Sequence, residues 1–258
     1  MVTKQVKRSK AAVKEALCGY LSISPWVLGF IVLTFIPILS TIYYSFTRWT
    51  MMDKPVWIGL ENYIHMFTKE PLFYQSVKAT ALYVLMSLPV ILIFGVLLSL
   101  LLNMKIKGMN FYRTLFYIPA VISGVSIAML WTWLLQPDVG IVNSVLSFFG
   151  IQGPKWFWDP KWALPSVASM SLWKVGGSAV IYLAGLQNIP PQLYEAARID
   201  GAGKLRIFFK ITIPLLTPTL FFQLIIQMIE AFKVFTEAYV ITKGGPLKAT
   251  YFYLLYFY

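Results

Sequence analysis

Long apolar runs dominate this sequence and restrict what the chain can become. Five of them occupy residues 26–46, 79–103, 114–136, 164–186 and 215–240. A helix needs roughly 20 apolar residues to cross about 30 Å of hydrocarbon at a rise of about 1.5 Å per residue. We therefore predict an all-α integral membrane protein, a polytopic helical bundle whose transmembrane domain spans 25–258.

The composition excludes several classes of soluble protein. Only 12% of the 258 residues are charged and 58% are hydrophobic, whereas an ordinary soluble domain has about 25% charged residues. One cysteine and one histidine are too few for a disulfide framework, a Cys/His zinc cluster or a nucleophile system that needs two histidines. The net charge of +12 would suit nucleic acid, but the basic residues lie between the apolar runs. We expect a lipid bilayer, and no nucleic acid, as the partner.

The basic residues also indicate an orientation. With a cytoplasmic N-terminus, the inner segments 1–24, 104–113 and 187–214 carry twelve lysines and arginines, and the outer loops carry eight. This bias has the sign of the positive-inside rule, so we expect 1–24 to be a basic cytoplasmic segment. A last apolar run begins at 251 and has only eight residues, which we interpret as the start of a truncated sixth span.

The longest inner loop, 190–214, predicts an elbow of two short helices. Pro191 suits a first helical turn and Gly201 suits a left-handed helix stop, which predicts a helix over 191–199. A second amphipathic helix is predicted over 204–211. On composition alone, these helices are equally typical of a pair that lies on lipid headgroups.

The residues of this elbow resemble a known signature. Glu195-Ala196-Ala197, three residues, Gly201, nine residues and then I-T-I-P, ending at Pro214, resemble the EAA motif of permease subunits of bacterial ATP-binding-cassette importers. The one departure is Ile213, where that family usually has leucine. The segments 57–63 (W-I-G-L-E-N-Y), 183–190 and 242–246 resemble the sugar-importer branch, and most closely the maltose and glycerol-phosphate type.

This resemblance implies a fold, a location and a set of partners. The family has a six-span core in the bacterial inner membrane, pairs with a second, similar permease and receives solute from an extracytoplasmic binding protein. Its inner loop docks on a cytoplasmic ATPase dimer, and the residues implied in that coupling are Glu195, Ala196, Ala197, Asp200, Gly201 and Pro214. The sequence has no G-x-x-x-x-G-K-[ST] loop, so we expect no cofactor on this chain and ATP only on the partner ATPase.

Polar residues inside the apolar runs predict a solute path. Gln223, Gln227, Glu230, Val234 and Glu237 recur at steps of four and three, which places them on one face of a continuous helix. Ionisable groups at membrane depth are costly and usually face a watery cavity. The candidate path residues are Trp173, Lys174, Gln223, Gln227 and Glu230. A structural ion pair of Lys233 with Glu237 is the alternative near the outer end, and Lys174 is predicted to pair with Glu230 or to contact solute.

The predicted function is a transmembrane permease subunit, not an enzyme, of an ATP-driven importer of sugars or related polyols. The alternative is a proton- or ion-coupled secondary transporter in which Lys174, Glu230 and Glu237 form a relay. A self-contained carrier has no need of the elbow, and no inverted repeat is evident in the sequence. A membrane-embedded enzyme is a third and weaker reading, because the runs contain no carboxylate pair at catalytic spacing.

Overall fold

A computed structural model describes residues 10–258, which form two compact units, the first ending at Glu70 and the second spanning Pro71–Tyr258. The first unit is a long helix followed by a small hairpin and a short helix. Its elements are α1 (Lys10–Phe30), a π-helical segment (Ile31–Phe35), α2 (Ile36–Ser45), β1 (Thr47–Arg48), β2 (Val56–Trp57) and α3 (Glu61–Lys69). The uninterrupted helix Lys14–Ser45 has 32 residues, long enough to cross a bilayer with some tilt.

The hairpin is the one feature of this unit that the all-α prediction does not contain. β1 and β2 pair antiparallel, with Thr47 opposite Trp57. The Asn62 Nδ2 atom donates to the carbonyl oxygens of Ser45 at 2.9 Å and Thr47 at 3.0 Å, which joins the start of α3 to the end of α2. An exposed ion pair of Arg48 with Glu61, at 2.8 Å, lies beside it.

The second unit is a helical bundle built around α4. Its elements are α4 (Pro71–Leu102), α5 (Met109–Val121), α6 (Gly124–Leu134), α7 (Ile141–Phe148), a 3-10 turn (Trp156–Trp158), α8 (Ala163–Ser169), a 3-10 segment (Met170–Lys174), α9 (Val175–Gln187), α10 (Pro191–Ile199), α11 (Lys204–Ile207), a π-helical segment (Phe208–Thr212), α12 (Ile213–Phe232), a second π-helical segment (Ala238–Thr242) and α13 (Tyr253–Phe257). Within residues 10–258, four helices are long and apolar enough to cross a membrane, or five if one bent pair forms a single span.

Small residues allow the helices of the bundle to approach closely. α4 packs against both α9 and α12. A Cβ atom at Gly95 of α4 would lie 2.8 Å from the Cε2 atom of Tyr182, and one at Gly185 would lie 2.7 Å from the Oγ1 atom of Thr219. In membranes, where lipid is as apolar as leucine, such close packing is a main source of helix association.

Buried hydroxyl groups inside α4 are satisfied by their own helix. The Oγ atoms of Ser76, Ser87 and Ser99 and the Oγ1 atom of Thr80 donate to carbonyl oxygens three or four residues earlier, at 2.7 to 2.8 Å. The Thr80 hydroxyl also accepts from the backbone N–H of Tyr253 at 2.8 Å. This bond ties the C-terminal aromatic segment to α4.

Two of the predicted spans are not continuous helices. The run 114–136 is divided between α5 and α6, which meet at 98°, and the Ser123 Oγ atom caps α6 by accepting from the Ser126 N–H at 3.2 Å. The run 215–240 breaks after Phe232 and is helical again from residue 236. At the break the last turn tightens, because the Lys233 N–H bonds to the Glu230 carbonyl at 3.2 Å, a 3-10 type ending.

The elbow also differs from its prediction in one respect. The helix predicted over 204–211 is not a separate surface element, because it continues through the π-helical segment into α12 as one helix, Lys204–Phe232. The fourth predicted span, 164–186, lies within Ala163–Gln187 and contains the 3-10 segment that ends at Lys174.

Candidate functional site

The first helix of the elbow, α10, is observed over the predicted residues 191–199. Pro191 occupies its first turn, and Gly201 has φ +71°. The Gly201 N–H bonds to the Arg198 carbonyl at 3.1 Å, and the Ala202 N–H bonds to the Ala197 carbonyl at 2.9 Å. These two bonds form a Schellman motif, in which a glycine in the left-handed conformation satisfies the last carbonyls of the helix.

The two faces of α10 are used differently. Glu195 and Ala196 are exposed, Ala197 is half-buried and Asp200 is exposed, so the motif residues point away from the bundle and are accessible to a partner. On the other face, Tyr194 packs against a buried apolar cluster that includes Leu186, Ile189 and Leu216.

One hydrogen bond connects this inner face to the next helix. The Tyr194 hydroxyl lies 3.3 Å from the Oγ1 atom of Thr212, and Thr212 is buried in the π-helical segment that precedes α12. Pro214 lies in the first turn of α12. The elbow is therefore fixed to the ends of two long helices, α9 and α12.

A cavity of about 370 Å³ lies inside the bundle. Its walls come from α4, the start of α6, the segment around Met170–Lys174, α9, α12 and residues 233–237. Four of the five candidate path residues line it, namely Lys174, Gln223, Gln227 and Glu230. The fifth, Trp173, does not.

Trp173 is turned away from this cavity. Its ring packs edge-to-face against Trp131, with centroids 6.1 Å apart, and it borders a separate apolar groove beside Phe94 and Phe116. The structure therefore does not bring Trp173 to the wall of this cavity, whereas Met170, Ser171 and Lys174 of the same 3-10 segment do line it.

The two glutamines are held by a serine of α9. The Gln227 Nε2 atom donates to the Ser178 Oγ atom at 2.9 Å, and the Gln223 Nε2 atom donates to the Ser178 carbonyl at 3.4 Å. Gln223 is completely buried, and its Oε1 atom has no hydrogen-bond partner within the described residues. A buried acceptor without a partner costs about 1–3 kcal/mol, and this oxygen is closed to solvent in the packing described here.

The ion pair across the cavity differs from the predicted ones. The Lys174 Nζ atom lies 2.8 Å from the Glu237 Oε1 atom, and their side chains are 46% and 12% exposed. The alternative pair of Lys233 with Glu237 and the pair of Lys174 with Glu230 are both absent from the described residues 10–258. The first assumed one continuous helix, whereas the helix breaks after Phe232 and Glu237 contacts Lys174 instead. The other predicted role of Lys174, contact with solute, stays a prediction.

Two further charges complete the cavity. Glu230 and Lys233 line it, and within residues 10–258 neither forms an ion pair. The cavity thus combines two ammonium groups, two carboxylates and two amides. Such a set can bind hydroxyl-rich solutes of either charge state.

Sequence reasoning missed several wall residues. They are Tyr83, Ser87, Gly124, Ser171, Gly177, Ser178 and Thr236. Serine and glycine inside apolar runs are the signal that marks some of them, since small polar residues in membrane helices concentrate at helix interfaces. Which of these residues share one wall depends on helix pairing, which no local pattern encodes.

Comparison with known proteins places these features in context. Residues 80–256 match the family model described as "Binding-protein-dependent transport system inner membrane component". The chain is 44% identical over 255 residues to the probable ABC transporter permease protein YesP of Bacillus subtilis, covering 97% of this chain and 82% of that protein. It is 35% identical over 245 residues to the trehalose/maltose transport system permease protein MalF of Thermococcus litoralis, covering 94% and 82%.

A solved structure is also similar. A chain of a bacterial ABC transporter involved in the import of the acidic polysaccharide alginate superposes with a TM-score of 0.79 at 26% identity. The match covers 92% of this chain and 81% of that one. A related crystal structure contains the same type of transporter in complex with an alginate pentasaccharide-bound periplasmic protein.

Proposed function

Because this chain belongs to the family of binding-protein-dependent transport system inner membrane components, we propose that its cavity is the solute path and its elbow the contact with an ATPase. The chain is a multi-pass permease subunit of an ABC importer of sugars, and ATP is hydrolysed by a separate subunit. The relatives give no support to a proton-coupled carrier. In this proposal, the cavity wall binds the solute and the exposed face of α10 binds the ATPase.

The single observation that carries the solute path is the convergence of Lys174, Gln223, Gln227 and Glu230 on one cavity. Sugar hydroxyls donate and accept hydrogen bonds, and the unpartnered Gln223 Oε1 atom, buried in this packing, offers an acceptor to a hydroxyl when the wall opens. Since such an acceptor is costly when unpaired and buried, a solute hydroxyl that reaches it gains that free energy on entry.

Two helix breaks border the same cavity and favour this assignment. The first is the bend before Gly124, and the second is the break after Phe232. A Cβ atom at Gly124 would lie 3.5 Å from the Cγ2 atom of Thr236, so the two breaks meet at the cavity wall. Interrupted membrane helices are tolerated where they line a cavity, and in transporters they commonly form the solute site.

The proposed elbow contact rests on the exposed face of α10. Small Ala196 and Ala197 permit close approach of a partner, and the exposed Glu195 carboxylate can accept charge-assisted hydrogen bonds from a basic group. On the opposite face, Tyr194 joins α10 to α12 through Thr212. A push on α10 is thus transmitted to a helix that lines the cavity, which shifts the balance between two packings of the bundle.

The remaining parts of the proposal follow the family arrangement. A second permease encloses the path with this chain, two ATPase copies bind the elbows, and a binding protein delivers solute from outside. The N-terminus is cytoplasmic. The solute is a di- or oligosaccharide, as the trehalose/maltose and alginate relatives suggest.

A transport assay tests the assignment of the path. The full-length chain, purified with its co-expressed partners, is reconstituted in proteoliposomes with labelled maltooligosaccharides and alginate oligosaccharides. Gln227→Leu should lower uptake at least tenfold, because it removes an amide from the cavity wall, and should leave basal ATP hydrolysis unchanged. Gln152→Leu, at an exposed loop position, is the matched control. Equal uptake by both variants would exclude Gln227 from the path.

A further inference from the structure

A second groove, distinct from the cavity, lies at the end of α4 that is remote from the elbow. Its volume is about 620 Å³, and it runs between α4, residues 160–161, the start of α8 and residues 248–249. The other end of α4 packs with Val96 in the apolar cluster that holds Tyr194 of the elbow. The groove is therefore on the outer side of the membrane if the elbow is cytoplasmic.

We propose that this groove binds an acidic phospholipid. Three lysines, Lys78, Lys161 and Lys248, line it from three different segments. All three are exposed, and within residues 10–258 none has a carboxylate at ion-pair distance. Three lysines around one groove favour an anionic ligand, because none of their ammonium groups is paired with a carboxylate.

Hydrogen bonds position the segments that form the rim of the groove. The Gln75 Nε2 atom of α4 donates to the carbonyl oxygens of Leu247 and Lys248, at 3.2 and 3.4 Å. On the other side, the Asp159 Oδ1 atom accepts from the backbone N–H of Lys161 at 2.8 Å. The first two bonds hold residues 247–248 against α4 close to Lys78, and the third shapes the loop that carries Lys161.

The position of the lysines along α4 matches the depth of lipid headgroups. Lys78 immediately precedes the charge-free stretch 79–102, which is about 36 Å long at about 1.5 Å per residue and covers a hydrocarbon core of about 30 Å. Leu82 and Met86 line the same groove, about 6 and 12 Å deeper by the same rise. The rim is thus cationic at headgroup level, and the floor is apolar at acyl-chain level.

These two properties together identify the class of lipid. A phosphate diester near three lysines makes charge-assisted hydrogen bonds, while an acyl chain covers Leu82 and Met86, which are 42% and 39% exposed. A zwitterionic lipid would bring its own ammonium group to the same lysines and gain less. Phosphatidylglycerol carries the required single negative charge.

Lipid titration with mass-spectrometric detection tests this proposal. The full-length chain, purified with its co-expressed partners, is titrated with phosphatidylglycerol and with phosphatidylcholine, and the bound lipids are counted. Lys161→Gln with Lys248→Gln removes two charges from the rim. Lys155→Gln with Lys243→Gln is the matched control, because it removes two exposed lysines from the same two loops without touching the groove.

We expect the wild type to prefer phosphatidylglycerol and the rim variant to bind it about thirtyfold more weakly, which is about 2 kcal/mol at about 1.4 kcal/mol per tenfold. The control variant should keep the wild-type affinity. Equal losses in the two double variants, or no preference in the wild type, would overturn the proposal. So would a rim variant that keeps its lipid but loses affinity for the solute-binding protein, since the groove would then be a protein contact.

Two further variants keep the test decisive if the double variant fails to fold. Lys78→Gln removes one charge from the helix itself, and we expect a loss of about fivefold. Leu82→Trp fills the acyl-chain floor and should weaken binding without any change in charge. Normal phosphatidylglycerol affinity in both single variants would refute the site.

Discussion

The ion pair of Lys174 with Glu237 allows a quantitative prediction. It joins the 3-10 segment before α9 to the chain that follows the break after α12, across the proposed solute path. Replacing Glu237 by Gln removes one charge and leaves the Lys174 ammonium without its partner. We expect each of Lys174→Met and Glu237→Gln to destabilise the bundle, and the double variant to be less destabilised than the two single effects combined.

The expected magnitude follows from the distance and the exposure of the pair. At 2.8 Å, Coulomb's law gives about 1.5 kcal/mol at the dielectric constant of water and about 6 kcal/mol at an effective value of about 20. Desolvation offsets part of this attraction, because the carboxylate is only 12% exposed. We therefore expect a coupling free energy of about 1–3 kcal/mol, the usual range for residues in direct contact.

A double-mutant cycle measures this coupling free energy. Equilibrium unfolding in mixed micelles is followed by circular dichroism for the wild type, both single variants and the double variant. The control is the same cycle on Arg48 and Glu61, a pair of the same 2.8 Å length whose side chains are 65% and 60% exposed. Its coupling should lie below about 1 kcal/mol. A Lys174–Glu237 coupling no larger than that of the exposed pair would refute the reasoning.

Two other substitutions test the packing of the bundle and the attachment of the elbow. Gly176→Ala would place a Cβ atom against the carbonyl oxygen of Phe116, so we expect the unfolding free energy to fall by about 1–3 kcal/mol. The control Gly29→Ala, whose Cβ atom meets open space, should cost nothing. Equal effects of the two variants would contradict the close α5–α9 contact. Tyr194→Phe removes only the hydroxyl that bonds to Thr212, so the unfolding free energy should fall by about 1 kcal/mol. The ratio of solute taken up to ATP hydrolysed, measured in proteoliposomes, should fall at least twofold. An unchanged ratio would show that this bond carries no coupling.

The elbow helix was predictable from the sequence because its signals are local. A proline in the first turn and a glycine after the last one fix both ends of α10 through their own backbone preferences. Gly201 has the expected positive φ of +71°. No knowledge of the remaining fold is needed for such a prediction.

The break after α12 could not be predicted in the same way. Residues 230–237 contain neither glycine nor proline, so the pattern is compatible with a continuous helix. The helix nevertheless ends at Phe232, and Glu237 pairs with Lys174. The start of α6 does have a local signal, because Ser123 is a typical N-cap residue and Gly124 follows it. This signal lies inside an apolar run long enough to span the membrane, so the run predicts one continuous helix.

The composition of the cavity was partly predictable. The spacing of Gln223, Gln227 and Glu230 along one helix indicated a polar stripe, and the structure brings all three to one wall. Ser87 and Ser178 could not be added from the sequence, because their place at the cavity depends on how α4 and α9 pair. Contacts between distant segments are not encoded in any one window of sequence.

The central claim is that the elbow couples ATP hydrolysis on a separate subunit to movement of solute through the cavity. The most direct measurement is solute uptake by proteoliposomes that contain the full-length chain and its co-expressed partners, driven either by ATP or by a proton gradient. The claim predicts solute uptake with ATP alone. Gly201→Asp should abolish this uptake, because residue 201 must adopt a positive φ at the elbow. Uptake driven by the proton gradient without ATP, and unaffected by Gly201→Asp, would contradict it.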